Sequence, residues 1–232
     1  MRAKAYDGWA QQFLDPRPEC TVLHLGCGLD TRVCRVDPPP TVRWYVIDLP
    51  DVIELRQRLF PLWGGTQSLA ASPSDPRLLE TISGETPVLV IADGLTPYRQ
   101  AVDGLALLRR LTEYFPRMEM LFGGYGRHGV RFLQRYGCVK VSGAQTDWRI
   151  NDPRAIERAV PGLILDAELW YTDAPGIEQR YSWLYQCFAA ATYFITRCAA
   201  SAARCATASI ARRRCRRRDP AWIAPWCKRL PS

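Results

Sequence analysis

Thr21-Val22-Leu23-His24-Leu25-Gly26-Cys27-Gly28-Leu29-Asp30-Thr31 is the stretch that decides the fold. Its first five residues form a short apolar, β-prone run that stops at Gly-Cys-Gly, the pattern of a buried parallel strand entering a tight turn. Glycine has no Cβ to hold a ligand away and tolerates positive φ, so Gly26 and Gly28 let bare backbone approach a bound molecule. The next β-prone run, Val42 to Ile47, ends at Asp48, twenty residues beyond Gly28. A carboxylate at that strand end can accept hydrogen bonds from both hydroxyls of a ribose. Taken alone, Gly-x-Gly reads more readily as a structural turn; Asp48 at this distance turns the reading to a nucleotide-type site.

Outward from this pair, helices and strands alternate. Arg2 to Leu14 sets Ala5, Trp9, Phe13 and Leu14 at helical spacing, and Asp15-Pro16 stops it. Asp51 to Leu59 reads as a helix, Ser68 to Ala71 and Pro87 to Ala92 as strands, the latter ending in Asp93-Gly94. Arg99 to Tyr114 has helical period, and Met118 to Phe122 is a strand running into Gly123-Gly124. A helix at Pro153 to Ala159 and a strand at Leu163 to Tyr171 follow. This order predicts an α/β fold, a Rossmann-like doubly wound and mostly parallel sheet, which binds ligands at the carboxyl ends of its strands. Gly26-Cys27-Gly28, Asp48, Asp93 and Gly123-Gly124 are all such ends and should meet in one crevice.

The chain has 232 residues, 47% of them hydrophobic, enough for one α/β domain with a sizeable core. The net charge of +8 points to nucleic acid until it is divided along the sequence. From Arg197 onward there are ten Lys or Arg residues and one acid, leaving 21 bases against 22 acids before it. The body is neutral, and the excess gathers around Arg212-Arg213-Arg214-Cys215-Arg216-Arg217-Arg218. A domain over 1-194 is therefore expected, followed at 195-232 by a tail rich in Arg, Ala and Cys without strand pattern. That tail reads as a disordered, frame-shifted extension or as a basic arm that meets an acidic surface by charge alone. Nine cysteines contain no C-x-x-C pair, and His24 and His128 are the only histidines, so reduced, packed thiols and no metal site are expected. No run reaches the roughly 20 apolar residues of a spanning helix, and the first residues are not leader-like. A cytoplasmic protein without membrane contact is the expectation.

The residues around the glycine turn also bear on the cofactor. A dinucleotide loop carries a third glycine where Thr31 stands, and Asp30 would repel a pyrophosphate. S-adenosylmethionine has no phosphate and carries a positive sulfonium and ammonium, which an acidic crevice suits. The string Val22 to Arg32, with Arg35-Val36-Asp37-Pro38-Pro39, Arg43-Trp44-Tyr45 and Asp48-Leu49-Pro50-Asp51-Val52-Ile53-Glu54-Leu55-Arg56, resembles the leucine carboxyl methyltransferase-like family. Within it the chain looks most like the bacterial polyketide O-methyltransferases of the tetracenomycin type. The likeness continues through Ala92-Asp93-Gly94-Leu95, Phe115-Pro116 and Trp148 to Arg154, and covers residues 2 to 175.

This resemblance implies a class I S-adenosylmethionine-dependent methyltransferase and assigns roles. Arg2 matches the arginine that pairs with the cofactor carboxylate, Gly26 and Gly28 the turn beneath its methionine part, and Asp48 the ribose ligand. Ser72 and Pro73 fall where the family meets the adenine, and Asp93 where it places a glutamate near the sulfonium. Without the resemblance, Arg2 reads as a solvated arginine, Asp93-Gly94 as a turn, and His24 as a packed core histidine. Tyr125 and His128, near the end of a strand, could face substrate or stand in a loop. The sequence departs from the family at Val46 and Gly123, where aspartate is frequent, and in lacking a helical lid segment before Arg2, whose loss could leave an inactive remnant. Methyl transfer to oxygen is an in-line displacement that needs alignment and exclusion of water more than a metal. The expected acceptor is a small-molecule carboxylate or hydroxyl, with no catalytic base named. The rival reading from another class is a nucleic-acid binder acting through the basic tail.

Overall fold

A computed structural model describes residues 2–60, 65–135, 137–170 and 198–205. The elements in order are α1 (Arg2–Leu14), β1 (Thr21–Leu25), α2 (Arg32–Val36), β2 (Arg43–Asp48), α3 (Pro50–Leu59), β3 (Thr66–Ala70) and β4 (Val88–Ala92). Then come α4 (Ala101–Tyr114), β5 (Met118–Tyr125), α5 (Arg127–Arg135), α6 (Gly137–Ser142), α7 (Arg154–Ala159), β6 (Leu163–Trp170) and β7 (Cys198–Cys205). The strands form one sheet in the order β3-β2-β1-β4-β5-β7-β6. Strands β3, β2, β1, β4 and β5 are parallel, whereas β7 runs antiparallel to both β5 and β6. The expected doubly wound α/β architecture is present, and strand order reverses at β1, where such sheets open a ligand crevice.

Every residue of β1 and β4 is buried because helices cover both faces of the sheet. The period of two then divides side chains between two cores. Leu23, Leu25, Val88 and Val90 pack with Leu107, Leu108 and Leu111 of α4. Val22, Leu89 and Ile91 pack with Tyr6, Trp9 and Phe13 of α1. His24 shares the parity of Val22, which turns it to the α1 and α2 side. Pro50 opens α3, where its fixed φ and missing N–H cost nothing.

Three expectations are corrected. Strand β5 does not end before Gly123-Gly124 but runs on to Tyr125, because these glycines stay in register with Ala200 and Ala199 of β7. His128 stands on α5, not in a loop. Strand β7 lies beyond the boundary expected near residue 194, so the sheet continues through Cys205. The basic residues 206–232, like Tyr171, fall outside the described residues. No helix among the described residues is long and apolar enough to cross a membrane.

Gly104 of α4 lies under the Trp148 ring so closely that a Cβ there would overlap the indole. Gly104→Ala adds about 1 kcal/mol of helix propensity, but overpacking a filled core costs about 1–3 kcal/mol. The variant should melt below the parent in a thermal scan; a higher melting temperature would show that the indole does not rest on this helix.

Candidate functional site

The turn after β1 is held from three directions. Gly26 and Gly28 have φ of 62° and 49°, the left-handed region that glycine enters at little cost. The amides of Gly26 and Cys27 donate to the Ile47 carbonyl at 2.8 and 3.3 Å, binding the turn to the end of β2. From α3, buried Arg56 donates through Nη1 to the carbonyls of Gly28 and Asp30 at 3.0 and 2.7 Å. A Cβ on Gly28 would meet nothing within 4 Å, so open space lies over that residue, whereas one on Gly26 would stand 3.0 Å from Leu95 Cδ1.

Asp48 closes the same turn from the end of β2. Its Oδ2 accepts from the Gly28 amide at 2.7 Å and its Oδ1 from the Leu49 amide at 2.8 Å. These bonds spend one lone pair on each oxygen and fix the carboxylate plane. After β3, Ser72 accepts from the Ser74 amide, and Pro73 is buried. Arg110 donates to the carbonyls of Pro73 and Ser74, and Arg99 donates to the Ser74 hydroxyl.

Behind β4 the carboxylates are bound to arginines. Arg32 is fully buried; its Nε lies 2.8 Å from Asp7 of α1, and its Nη2 lies 3.2 Å from Asp30 and 2.9 Å from Asp93. Its Nη1 is 3.5 Å from His24 Nε2, and its Cζ stands 5.1 Å from the centre of the Tyr6 ring. Arg35 adds contacts to Asp7 and Asp30. The other Asp93 oxygen is 2.9 Å from Arg2 Nε, and Arg2 Nη1 donates to the Tyr125 hydroxyl.

Arg2, Gly26, Gly28, Asp48, Ser72, Pro73, Asp93 and Tyr125 therefore stand at the carboxyl ends of β1 to β5 or, for Arg2, against that edge. His128 is exposed on α5 and no described contact joins it to them. Arg2 and Asp93 were expected to meet separate parts of a cofactor, and here they meet each other. Arg32 and Arg56 were missed as site residues: their partners are up to 61 and 28 positions away, so no local period marks them. The signal available was Arg32 following Asp30-Thr31 directly after the glycine turn.

Burial and the neighbouring Arg32 hold His24 well below the ordinary imidazole range, so it is neutral in the fold. Burial also pushes the Cys27 thiol up to about 12, which keeps it protonated in the turn.

Comparison with known proteins bears on this arrangement. Residues 1–112 match the family model for leucine carboxyl methyltransferase. The chain is 40% identical over 175 residues to the tetracenomycin polyketide synthesis O-methyltransferase TcmP of Streptomyces glaucescens, covering 75% of this chain and 65% of that protein. It is 31% identical over 198 residues to the S-adenosyl-L-methionine-dependent methyltransferase dpfgK of Gibberella zeae, covering 79% and 66%. It thus spans slightly less than two thirds of each relative's length. In fold it is similar to a proposed methyltransferase of Thermobifida fusca, with a TM-score of 0.63 at 17% identity over 88% of this chain and 80% of that one.

The depressed His24 pKa sets a sign for pH dependence. Unfolded histidine takes up a proton near pH 6.5, whereas folded His24 resists it, so its contribution to stability is complete above that pH and is lost as pH falls below it. The melting temperature should drop between pH 7 and 5 by more in the parent than in His24→Gln. Parallel pH curves for the two proteins would show that His24 titrates normally in the fold.

Proposed function

We propose that the chain is a leucine carboxyl methyltransferase-type enzyme, as the match of residues 1–112 and the 40% identity to a polyketide O-methyltransferase support, and that its own strand-end crevice holds S-adenosylmethionine and serves methyl transfer to an oxygen of a small molecule. Asp48 carries this reading. Of the crevice carboxylates Asp30, Asp48 and Asp93, it alone is in no ion pair among the described residues. Two backbone amides orient it, and one lone pair on each oxygen remains to accept a ribose diol. The open space over Gly28 lies beside it. Those features fit the adenosine part of S-adenosylmethionine, and we assign the adenine to Ser72 and Pro73, one strand further along the sheet. Arg2, at the mouth of the site, is the donor for the carboxylate, reached by exchanging one of its present contacts.

When bound, the cofactor supplies an electrophilic methyl group on sulfur. The chain's part is to orient both reactants and to exclude water. For the acceptor, a cavity of about 500 Å³ opens between the segment after β4 and the segment before Trp148, lined in part by Tyr98, Arg99, Asp103, Gln134, Thr146 and Asp147. That volume is in the range of small-molecule sites. Arg99, bonded to Ser74, joins the cavity wall to the loop after β3. The polar lining favours an acceptor bearing several hydroxyls, and the 40% identity to a polyketide O-methyltransferase supports a polyketide-type phenol or carboxylate. A carboxylate is already ionised at neutral pH and needs no base.

S-adenosylhomocysteine should raise the melting temperature, adding about 1.4 kcal/mol of stability at ten times its dissociation constant. Asp48→Asn should lose about 1.5–3 kcal/mol of that binding, the scale of a hydrogen bond to a charged group. A melting curve unmoved by millimolar ligand would remove the cofactor from this crevice.

A further inference from the structure

Tyr6 stands one helical turn after Arg2 on α1, so the two side chains share a face. Its ring is completely buried, set edge to face against Trp9 at 6.1 Å and beneath the Arg32 guanidinium. Among the described residues the hydroxyl has no hydrogen-bond partner. Buried polar groups are nearly always paired, so an orphan of this kind calls for an explanation. What faces it is bare backbone: a Cβ on Gly123 of β5 would stand 3.3 Å from the Tyr6 hydroxyl and 3.8 Å from the Gly94 amide nitrogen. A Cβ on Gly94, which follows Asp93 and has φ of 83°, would stand 3.8 Å from Arg2 Nη2. Two neighbouring strand ends therefore lack side chains at the same spot, with a phenol on one side and a guanidinium on the other.

We propose that the Tyr6 hydroxyl is a cofactor-binding group that donates, beside Arg2, to the carboxylate at the amino-acid end of the cofactor. This rests on the reading of the crevice as an S-adenosylmethionine site. The chemistry selects an anion: Arg2 repels an ammonium, and a protonated phenol next to a guanidinium offers two donors to one carboxylate. Burial first, and Asp93 second, push the Tyr6 pKa well above its ordinary value, so the group remains a donor. Asp93 keeps Arg32 as a partner when Arg2 turns to the ligand. Gly123 contributes by absence, since any side chain there would press against the hydroxyl.

The test is Tyr6→Phe, which removes one oxygen and nothing else, read by calorimetry and thermal melting without any turnover measurement. Ligand-free Tyr6→Phe should melt at or above the parent, because it no longer buries an unpaired hydroxyl. Its affinity for S-adenosylhomocysteine should fall about ten- to a hundredfold, the scale for a hydrogen bond to a charged group. For 5′-methylthioadenosine, which keeps adenosine and sulfur but has no carboxylate, parent and variant should bind alike. Unchanged S-adenosylhomocysteine affinity in the variant would overturn the assignment while leaving the cofactor site in place. Equal losses for both ligands would overturn it too, by showing that Tyr6 acts only through the shape of the site. If the parent itself bound neither ligand, the cofactor reading would fall, and this assignment with it.

Discussion

Arg32 is the interaction on which the rest of the site depends. A guanidinium without solvent contact sits where α1, the turn after β1 and the end of β4 come together, reaching Asp7, Asp30 and Asp93 at once. Removing such a charge from water is expensive and is offset only when most of its donors are used. The planar, five-donor fork of arginine can serve three carboxylates in different directions, which a lysine ammonium on a single stem cannot do equally well. Truncating it would leave Asp7 and Asp30 with Arg35 alone and Asp93 with Arg2 alone, and would remove the fully buried cation that ties the three acids together. The same bonds decide the chemistry in front of the sheet. By neutralising Asp30 and Asp93 from behind, Arg32 leaves Asp48 as the crevice carboxylate held only by backbone amides.

Much of this was legible in the sequence because it depends on local pattern. The apolar run Thr21 to Leu25, the stop at Gly26-Cys27-Gly28 and the twenty-residue distance to Asp48 located β1, β2 and their junction. Arg2 to Leu14 carried enough apolar residues at helical spacing, and a clear stop at Asp15-Pro16, for α1 to be read with the bounds observed. Strand β7 was not legible, since Cys-Ala-Ala-Ser-Ala-Ala-Arg-Cys has neither β-branched residues nor alternation and is a strand through its pairing with β5 and β6. The extension of β5 through two glycines has the same cause. Arg56 and Tyr6 could not be recognised as site residues from their neighbours in sequence, because what defines them is a carbonyl 28 positions away and a missing Cβ on another strand.

The departures from the family pattern acquire physical content in the fold. Asp93, one methylene shorter than the glutamate expected there, is reached from both sides by Arg2 and Arg32 and is fixed close to the sheet. Gly123, where an acid is frequent, brings bare backbone against the Tyr6 hydroxyl, which a Cβ there would approach to 3.3 Å. A negative group on that strand end would instead compete with a ligand carboxylate for Arg2.

The central claim is that Asp48, fixed by the glycine turn, is the sugar ligand of an adenosine-containing cofactor. A crystal structure of the chain grown with S-adenosylhomocysteine tests it most directly. The account predicts both ribose hydroxyls within hydrogen-bonding distance of the Asp48 carboxylate, about 2.5–2.7 Å for O–H donors to a charged oxygen, with the Gly28 amide still bonded to Oδ2. A ligand whose ribose lies elsewhere, with Asp48 touching only backbone, would contradict it.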